Sequence, residues 1–456
     1  MPIISRSAEL SLDFLVVGGG IGGLSVAYML QKAGHRVRVV EKQGLHAPSA
    51  GLRIPPNLSK ILWQWVDREE LDKVTTRCVG TPMHSLHTGK NVGYLPWKPA
   101  VMAEIGGEFL LMHRQDLIRL LFNLATEVGV IVDLDTTVTS VRPGTAHDPR
   151  PTVTLDNGGV LAADIVIGSD GCNSIIRPVV VGEEQHASAS SLTVYTGTVN
   201  AHNIVQDAEL APLIAHSCED WPIWMGDRHS FSVAYQRSSQ ELYIGLYVWH
   251  RPDEPSSTGE ESWDHSVATE VIATAGYPPI VQRLIKMAPH FIRTEFTPRN
   301  SGQCDWVDTT GQIVLLGDAA HPSIPGGQNI ASMAIEDAVV FGSLFSHLRT
   351  MEQVPSFLGA YQELRQPRCE KVGRSDIKGA ELMALPPGPA ADARDENIRQ
   401  QLQEWDEGML KESFEEIAEI FGYDAGDAAE EWWINWGRFH ETAGEQPGVV
   451  VSIRRD

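Results

Sequence analysis

The segment running from Asp13 to Lys42 restricts the fold more than any other stretch of the chain. Phe14-Leu15-Val16-Val17 is an unbroken apolar run, Gly18-Gly19-Gly20-Ile21-Gly22-Gly23 has the spacing G-x-G-x-x-G, and an apolar-periodic stretch then continues to Ala33. Gly34 stops it, and Val37-Arg38-Val39-Val40 follows. This order predicts a strand, a tight turn, a helix and a second parallel strand. A first strand that is apolar at every position predicts burial on both faces, as in a parallel sheet. Gly18 permits the turn, Gly20 lets the backbone approach a pyrophosphate, and Gly23 lets the helix pack closely on the strand. Glu41 ends the second strand 18 residues beyond Gly23, where a carboxylate accepts hydrogen bonds from ribose hydroxyls; Lys42 beside it is a further candidate. The unit therefore predicts an adenine dinucleotide site, without distinguishing NAD from FAD.

A chain of 456 residues with 42% hydrophobic content has room for two or three domains. A formal net charge of -23 argues against nucleic acid and anionic membranes as partners, since both reward clustered Lys and Arg, and points to a small-molecule ligand. The five cysteines show no C-x-x-C spacing, so no zinc ribbon, redox dithiol or disulfide framework is expected, nor any other metal site, and a reducing, cytoplasmic setting is the expectation. The uncharged run Phe14 to Leu30 falls short of the roughly 20 residues of a membrane span and contains five glycines. Residues 1–13 carry Arg6, Glu9 and Asp13 and lack the apolar core of a secretory signal. Membrane insertion is not expected. A monomer or homodimer is.

Two later segments repeat a pattern in which a short apolar strand runs into Gly and Asp: Ile165-Val166-Ile167-Gly168-Ser169-Asp170-Gly171 and Ile313-Val314-Leu315-Leu316-Gly317-Asp318. Both place an acid at the carboxyl end of a strand, where open α/β sheets bind ligands. Between them, alternating and aromatic runs such as Phe231-Ser232-Val233-Ala234-Tyr235 predict an antiparallel sheet over 191–299. Residues 1–190 with 300–372 form the expected dinucleotide domain and 373–456 a C-terminal helical segment. Ala384 to Ala393 reads as a connector, and the stripe Trp405, Met409, Leu410, Phe414, Ile417 and Phe421 as a packing face.

Asp170-Gly171-Cys172-Asn173-Ser174-Ile175-Ile176-Arg177 and Gly317-Asp318-Ala319-Ala320-His321-Pro322, after the glycine fingerprint, resemble the signatures of flavoprotein monooxygenases built like p-hydroxybenzoate hydroxylase. The salicylate hydroxylase-like branch is similar over nearly the whole chain, including 49–57, His113-Arg114-Gln115-Asp116-Leu117 and Ala334-Ile335-Glu336-Asp337-Ala338. The resemblance implies a Rossmann-like α/β domain of the glutathione reductase type with an inserted antiparallel-sheet substrate domain and C-terminal helices. It implies non-covalent FAD, with Asp318 on the ribityl hydroxyls, Asp170 and Gly171 serving both FAD and NAD(P)H, and Arg53 and Arg114 beside the flavin. Pro325, Gly327, Ile330 and Ala331 then belong to the loop and helix start facing the ring, with Ile330 where relatives usually carry glycine. The implied reaction uses NADPH or NADH and O2 to insert one oxygen into an electron-rich aromatic, indolic or alkene substrate through a flavin C4a-hydroperoxide, by hydroxylation or epoxidation. An FAD oxidase or dehydrogenase without oxygen insertion is the nearest alternative, and a non-catalytic protein resembling Rab GDP-dissociation inhibitors a more distant one. Tyr235 and His321 are the candidate catalytic residues. Where many phenol-oxidising relatives carry arginine after an aromatic residue, this chain has Tyr195-Thr196-Gly197, which weakens the expectation of a bound phenolate or carboxylate.

Overall fold

The computed structural model describes residues 6–45, 50–182, 191–215, 219–251, 264–296, 304–401 and 417–437. Asp13–Val17 forms the middle strand of a five-stranded sheet, flanked by Arg36–Val40 and Ile165–Gly168, with Ile131–Asp133 and Ile313–Leu315 at the edges. All of its pairings are parallel. The carboxyl ends of three strands thus bring Gly18, Asp170 and Asp318 to one edge. The fingerprint helix Ile21–Lys32 and the central helix Ile330–Phe345 cover one face, and both are buried along most of their length, which accounts for their shortage of charge.

A second sheet of eight strands carries the other half of the site. Its order is His265–Val267, Phe291–Phe296, Leu192–Asn200, Glu241–Trp249, His229–Gln236, Ile223–Met225, Gly80–Ser85, Asn91–Pro96. The pairings are antiparallel except that of Ile223–Met225 with Gly80–Ser85. Two strands therefore come from before residue 191, where the sequence boundary was drawn; a pairing across so long a loop leaves no local trace. One face packs Phe231, Val233, Leu242 and Ile244 against Val281, Leu284 and Ile285 of the helix Pro279–Met287. The other face looks toward the dinucleotide domain.

The long helix Val354–Met383 runs without a break through the expected division at 372. The expected connector is helical from Pro389, where the helix Pro389–Gln401 begins. Trp405, Met409, Leu410 and Phe414 lie outside the described residues, while Ile417 and Phe421 pack with Met102 and Phe109. Among the described residues no helix is long and apolar enough to cross a membrane.

Candidate active site

The three fingerprint glycines meet different constraints. Gly18 has φ +102°, and a Cβ there would stand 2.2 Å from the Ser169 carbonyl oxygen, so the turn admits only glycine and brings Asp170 alongside. A Cβ at Gly23 would stand 1.9 Å from the Gly18 carbonyl oxygen; helix and turn touch there. At Gly20 and at Gly171 a Cβ would meet nothing within 4 Å. The open space lies in front of the positions that a pyrophosphate needs. Glu41 closes the adjacent end, accepting hydrogen bonds from the Gly19 N–H at 2.6 Å and the Gln43 N–H at 2.9 Å. Lys42 is exposed beside it. Because Gly20 has φ -76° and open surroundings, Gly20→Val is expected to fold with an unchanged circular dichroism spectrum yet to purify without flavin colour. A yellow Gly20→Val protein would place the dinucleotide elsewhere.

The two acidic motifs are locked together. Asp170 Oδ2 accepts from the Ile175 and Ile176 N–H groups at 2.8 and 3.4 Å, whereas its Oδ1 is buried without a partner. A buried acceptor of this kind calls for a donor from a ligand. Arg177 Nη1 donates to the Ala319 and Ala320 carbonyl oxygens, each at 2.8 Å, and so fixes the segment that carries Asp318. Asp318 accepts only a 3.3 Å bond from the Ser323 N–H among the described contacts. Burial pushes its pKa up, opposed by the nearby His321 and Arg114. Spare acceptor capacity on a carboxylate suits a polyol chain. Arg114 opens the helix Arg114–Glu127, 3.9 Å from Asp264 and within electrostatic reach of Asp318.

His321 is buried and engaged by another carboxylate. Its Nε2 lies 2.6 Å from Asp337 Oδ2, which also accepts from the Gly317 N–H at 3.0 Å. Arg365 donates to Asp337 and Glu336, at 2.8 Å each, and Glu336 also accepts from Asn57 at 2.7 Å and Arg368 at 3.2 Å. Burial opposes a charged His321, but Cys369 and Asp337 outweigh it and hold its pKa well above the ordinary value. The structure therefore sets His321 in a buried charge network and not on the lining of the cavity beside the eight-stranded sheet, which speaks against the expected catalytic role. His321, Asp337 and Cys369 cluster closely enough to hold a metal ion, yet Arg365 already supplies positive charge to that cluster.

A cavity of about 450 Å³ opens between the eight-stranded sheet and the end of the dinucleotide domain. Met83, Leu95, Trp97, Met102, Ile223 and Phe421 make it largely apolar, and Gly326-Gly327-Gln328-Asn329 close its inner end. The Tyr247 hydroxyl donates to the Gly326 carbonyl at 2.9 Å, and Asp376 of the long helix accepts from Asn329 N–H and Nδ2 at 3.0 and 2.8 Å. These two contacts hold the loop. Ile330 and Ala331 begin the central helix, and neither they nor Pro325 line the cavity.

Tyr235 does not line it either. In a strand successive side chains alternate between faces; Ser230 and Ser232 line the cavity, so Tyr235 falls with Phe231 and Val233 on the opposite face, where it is buried. The tyrosine on the cavity side is Tyr247, paired across the sheet with Ser230. Thr196, Gly245 and Ser232 stand in one row across three strands. That row is uncharged. Arg53, expected beside the flavin, projects from the strand Gly51–Ile54 into the cavity that Gly326 to Asn329 also line, with its guanidinium 3.9 Å from the centre of the Trp221 ring.

A parallel sheet with three acidic or glycine-rich strand ends, open space at Gly20 and Gly171, and an apolar cavity beside a second sheet fit a dinucleotide-dependent oxidoreductase. Residues 83–376 match the FAD binding domain family, and residues 13–53 match the FAD dependent oxidoreductase family. The chain belongs to the first of these, as a single-component FAD-dependent monooxygenase of the salicylate hydroxylase-like type. It is 30% identical to 6-hydroxynicotinate 3-monooxygenase of Bordetella bronchiseptica over 79% of its own length and 89% of the relative's. Hispidin-3-hydroxylase of Neonothopanus nambi is 28% identical, over 80% and 88% of the two chains. A salicylate hydroxylase substrate complex has the same fold, with TM-score 0.71 and 20% identity over 92% of this chain and 97% of that one. The oxidase and non-catalytic alternatives give way to FAD-dependent oxygen insertion.

Proposed function

We propose that this monooxygenase hydroxylates a small, electron-rich planar molecule in the cavity beneath the eight-stranded sheet, drawing its electrons from NADPH or NADH that binds transiently. The observation that carries this reading is the open space at Gly20 and Gly171 together with a buried acceptor that lacks a partner, Asp170 Oδ1. In this reading Gly18, Gly20 and Gly23 admit the pyrophosphate, Glu41 with Lys42 holds the adenosine ribose, and Asp318 holds the ribityl hydroxyls with Arg114 close by. Asp170 and Gly171 serve FAD and the nicotinamide together. The bound FAD supplies two-electron reduction and activation of O2.

The chain's own residues do the rest. Apolar side chains such as Leu95, Met102 and Ile223 exclude water from the reacting centre. Tyr247, its pKa pushed up to about 12 by burial, stays neutral and tethers the loop at Gly326, so the inner end of the cavity keeps one shape. The relatives named for 6-hydroxynicotinate and hispidin support a ring-bearing substrate, and 450 Å³ suits a molecule of a few rings. With FAD-loaded protein, a panel of hydroxypyridines, phenols and pyrones is expected to include members that stimulate NAD(P)H consumption and gain one oxygen atom, labelled when isotopic dioxygen is supplied. Stimulated consumption that yields only hydrogen peroxide across the panel would reject hydroxylation of this class.

A further inference from the structure

Arg53 lines the cavity without a hydrogen bond to any described acceptor. Gly51 and Arg53 lie two residues apart on one strand, so their side chains point to the same face. A Cβ at Gly51 would meet Gln236 Nε2 at 2.6 Å and Tyr243 Cγ at 2.8 Å, both on the eight-stranded sheet. Leu52 and Ile54 point the other way, into the core of the dinucleotide domain. The backbone therefore aims Arg53 at the substrate side. Its guanidinium rests on the Trp221 ring, its Nε is buried without a hydrogen-bond partner, and no described acceptor bonds the group. Burial pulls its pKa down, yet a guanidinium stays charged under all ordinary conditions.

A desolvated cation without an acceptor is costly unless a ligand completes it. Asp376 acts on the guanidinium electrostatically but makes no hydrogen bond to it, its two oxygens each accepting from Asn329. On the eight-stranded sheet the row Thr196, Gly245, Ser232, of which Ser232 lines the cavity, offers only small, neutral groups. The cation that this row lacks is supplied from the opposite wall.

Resting on the monooxygenase reading, we infer that Arg53 is the specificity-determining residue for an anionic oxygen, carboxylate or acidic enol or phenol, carried by a planar substrate. The indole of Trp221 covers one guanidinium face and leaves the N–H edges to bind the anion in the plane of the substrate ring.

The test uses FAD-loaded wild type, Arg53→Met and Arg53→Lys, titrated with three matched pairs: 6-hydroxynicotinate and its amide, 4-hydroxybenzoate and its amide, salicylate and salicylamide. Perturbation of the flavin spectrum reports binding. Wild type is expected to bind at least one acid about tenfold or more tightly than its amide, a preference Arg53→Met loses and Arg53→Lys partly keeps, with the FAD content of all three equal. Absence of any acid preference, failure of all three pairs to bind, or its persistence in Arg53→Met, overturns the inference. Loss of FAD from Arg53→Met would return the residue to the cofactor site. Failure of the underlying reading shows separately, as wild type that holds no FAD or inserts no labelled oxygen into any compound; FAD retention with oxygen insertion but no charge preference condemns the Arg53 assignment alone.

Discussion

Asp318→Ala protein is expected to leave purification with less than about a tenth of the FAD of wild type, since removing a charged hydrogen-bond acceptor costs about 1.5–3 kcal/mol of binding, roughly a ten- to hundredfold loss of affinity. The carboxylate makes one long bond within the chain, from the Ser323 N–H, so its removal leaves little behind to rearrange. Arg177 grips the same segment through backbone carbonyls at Ala319 and Ala320, and that grip survives the substitution. Circular dichroism should therefore be unchanged while the flavin absorbance disappears. Full occupancy in the variant would show that the ribityl assignment is wrong.

The second large effect is expected at Asp337, and it is one of stability. Asp337→Ala leaves the Arg365 guanidinium without one of its two carboxylates, His321 without its partner and the Gly317 N–H without an acceptor, all in buried surroundings. Breaking a buried pair in this way costs about 3–5 kcal/mol. Guanidinium-induced unfolding of the FAD-free protein should show a midpoint well below wild type, with Asp337→Asn falling between. A midpoint within error of wild type would mean that the network is not what holds the cofactor loop. The same carboxylate has a pH signature. Burial works against its charge, but His321 and Arg365 outweigh that and bring its pKa down to about 2, from an ordinary 3.8. Its contribution is complete above about pH 4 and is lost as the pH falls toward 2. His321 has the opposite sign: with its folded-state pKa raised, its contribution is full below the ordinary value of 6.5 and is lost only as the pH rises through the elevated one.

What could be seen in the sequence depended on whether a role is fixed by neighbours in the chain. Gly18, Gly20, Gly23 and Glu41 act within one strand-turn-helix-strand unit, and Asp170 and Asp318 each end a short apolar strand, so their positions follow from local pattern. Tyr235 against Tyr247 could not be decided that way. Nearly the whole strand His229–Gln236 is buried, because one face packs on a helix and the other on the dinucleotide domain, and no polar alternation marks which face meets the cavity. Asp376 looks like an ordinary helix residue until the fold brings Asn329 to it from 47 residues away. The direction of Arg53 is set by Gly51 packing on the other sheet, a contact between segments far apart in the chain that no local pattern announces.

The cavity walls have a consequence for how such a protein can change over generations. Met83 and Leu95, Ile223, Ala380 and Met383, and Phe421 come from four separate stretches, none of which carries a dinucleotide motif. Replacements there can reshape what the protein accepts while leaving flavin capture intact. Gly326 to Asn329 are shared by both functions and lack that freedom. Descendants of one ancestor can thus diverge in diet while keeping the same engine.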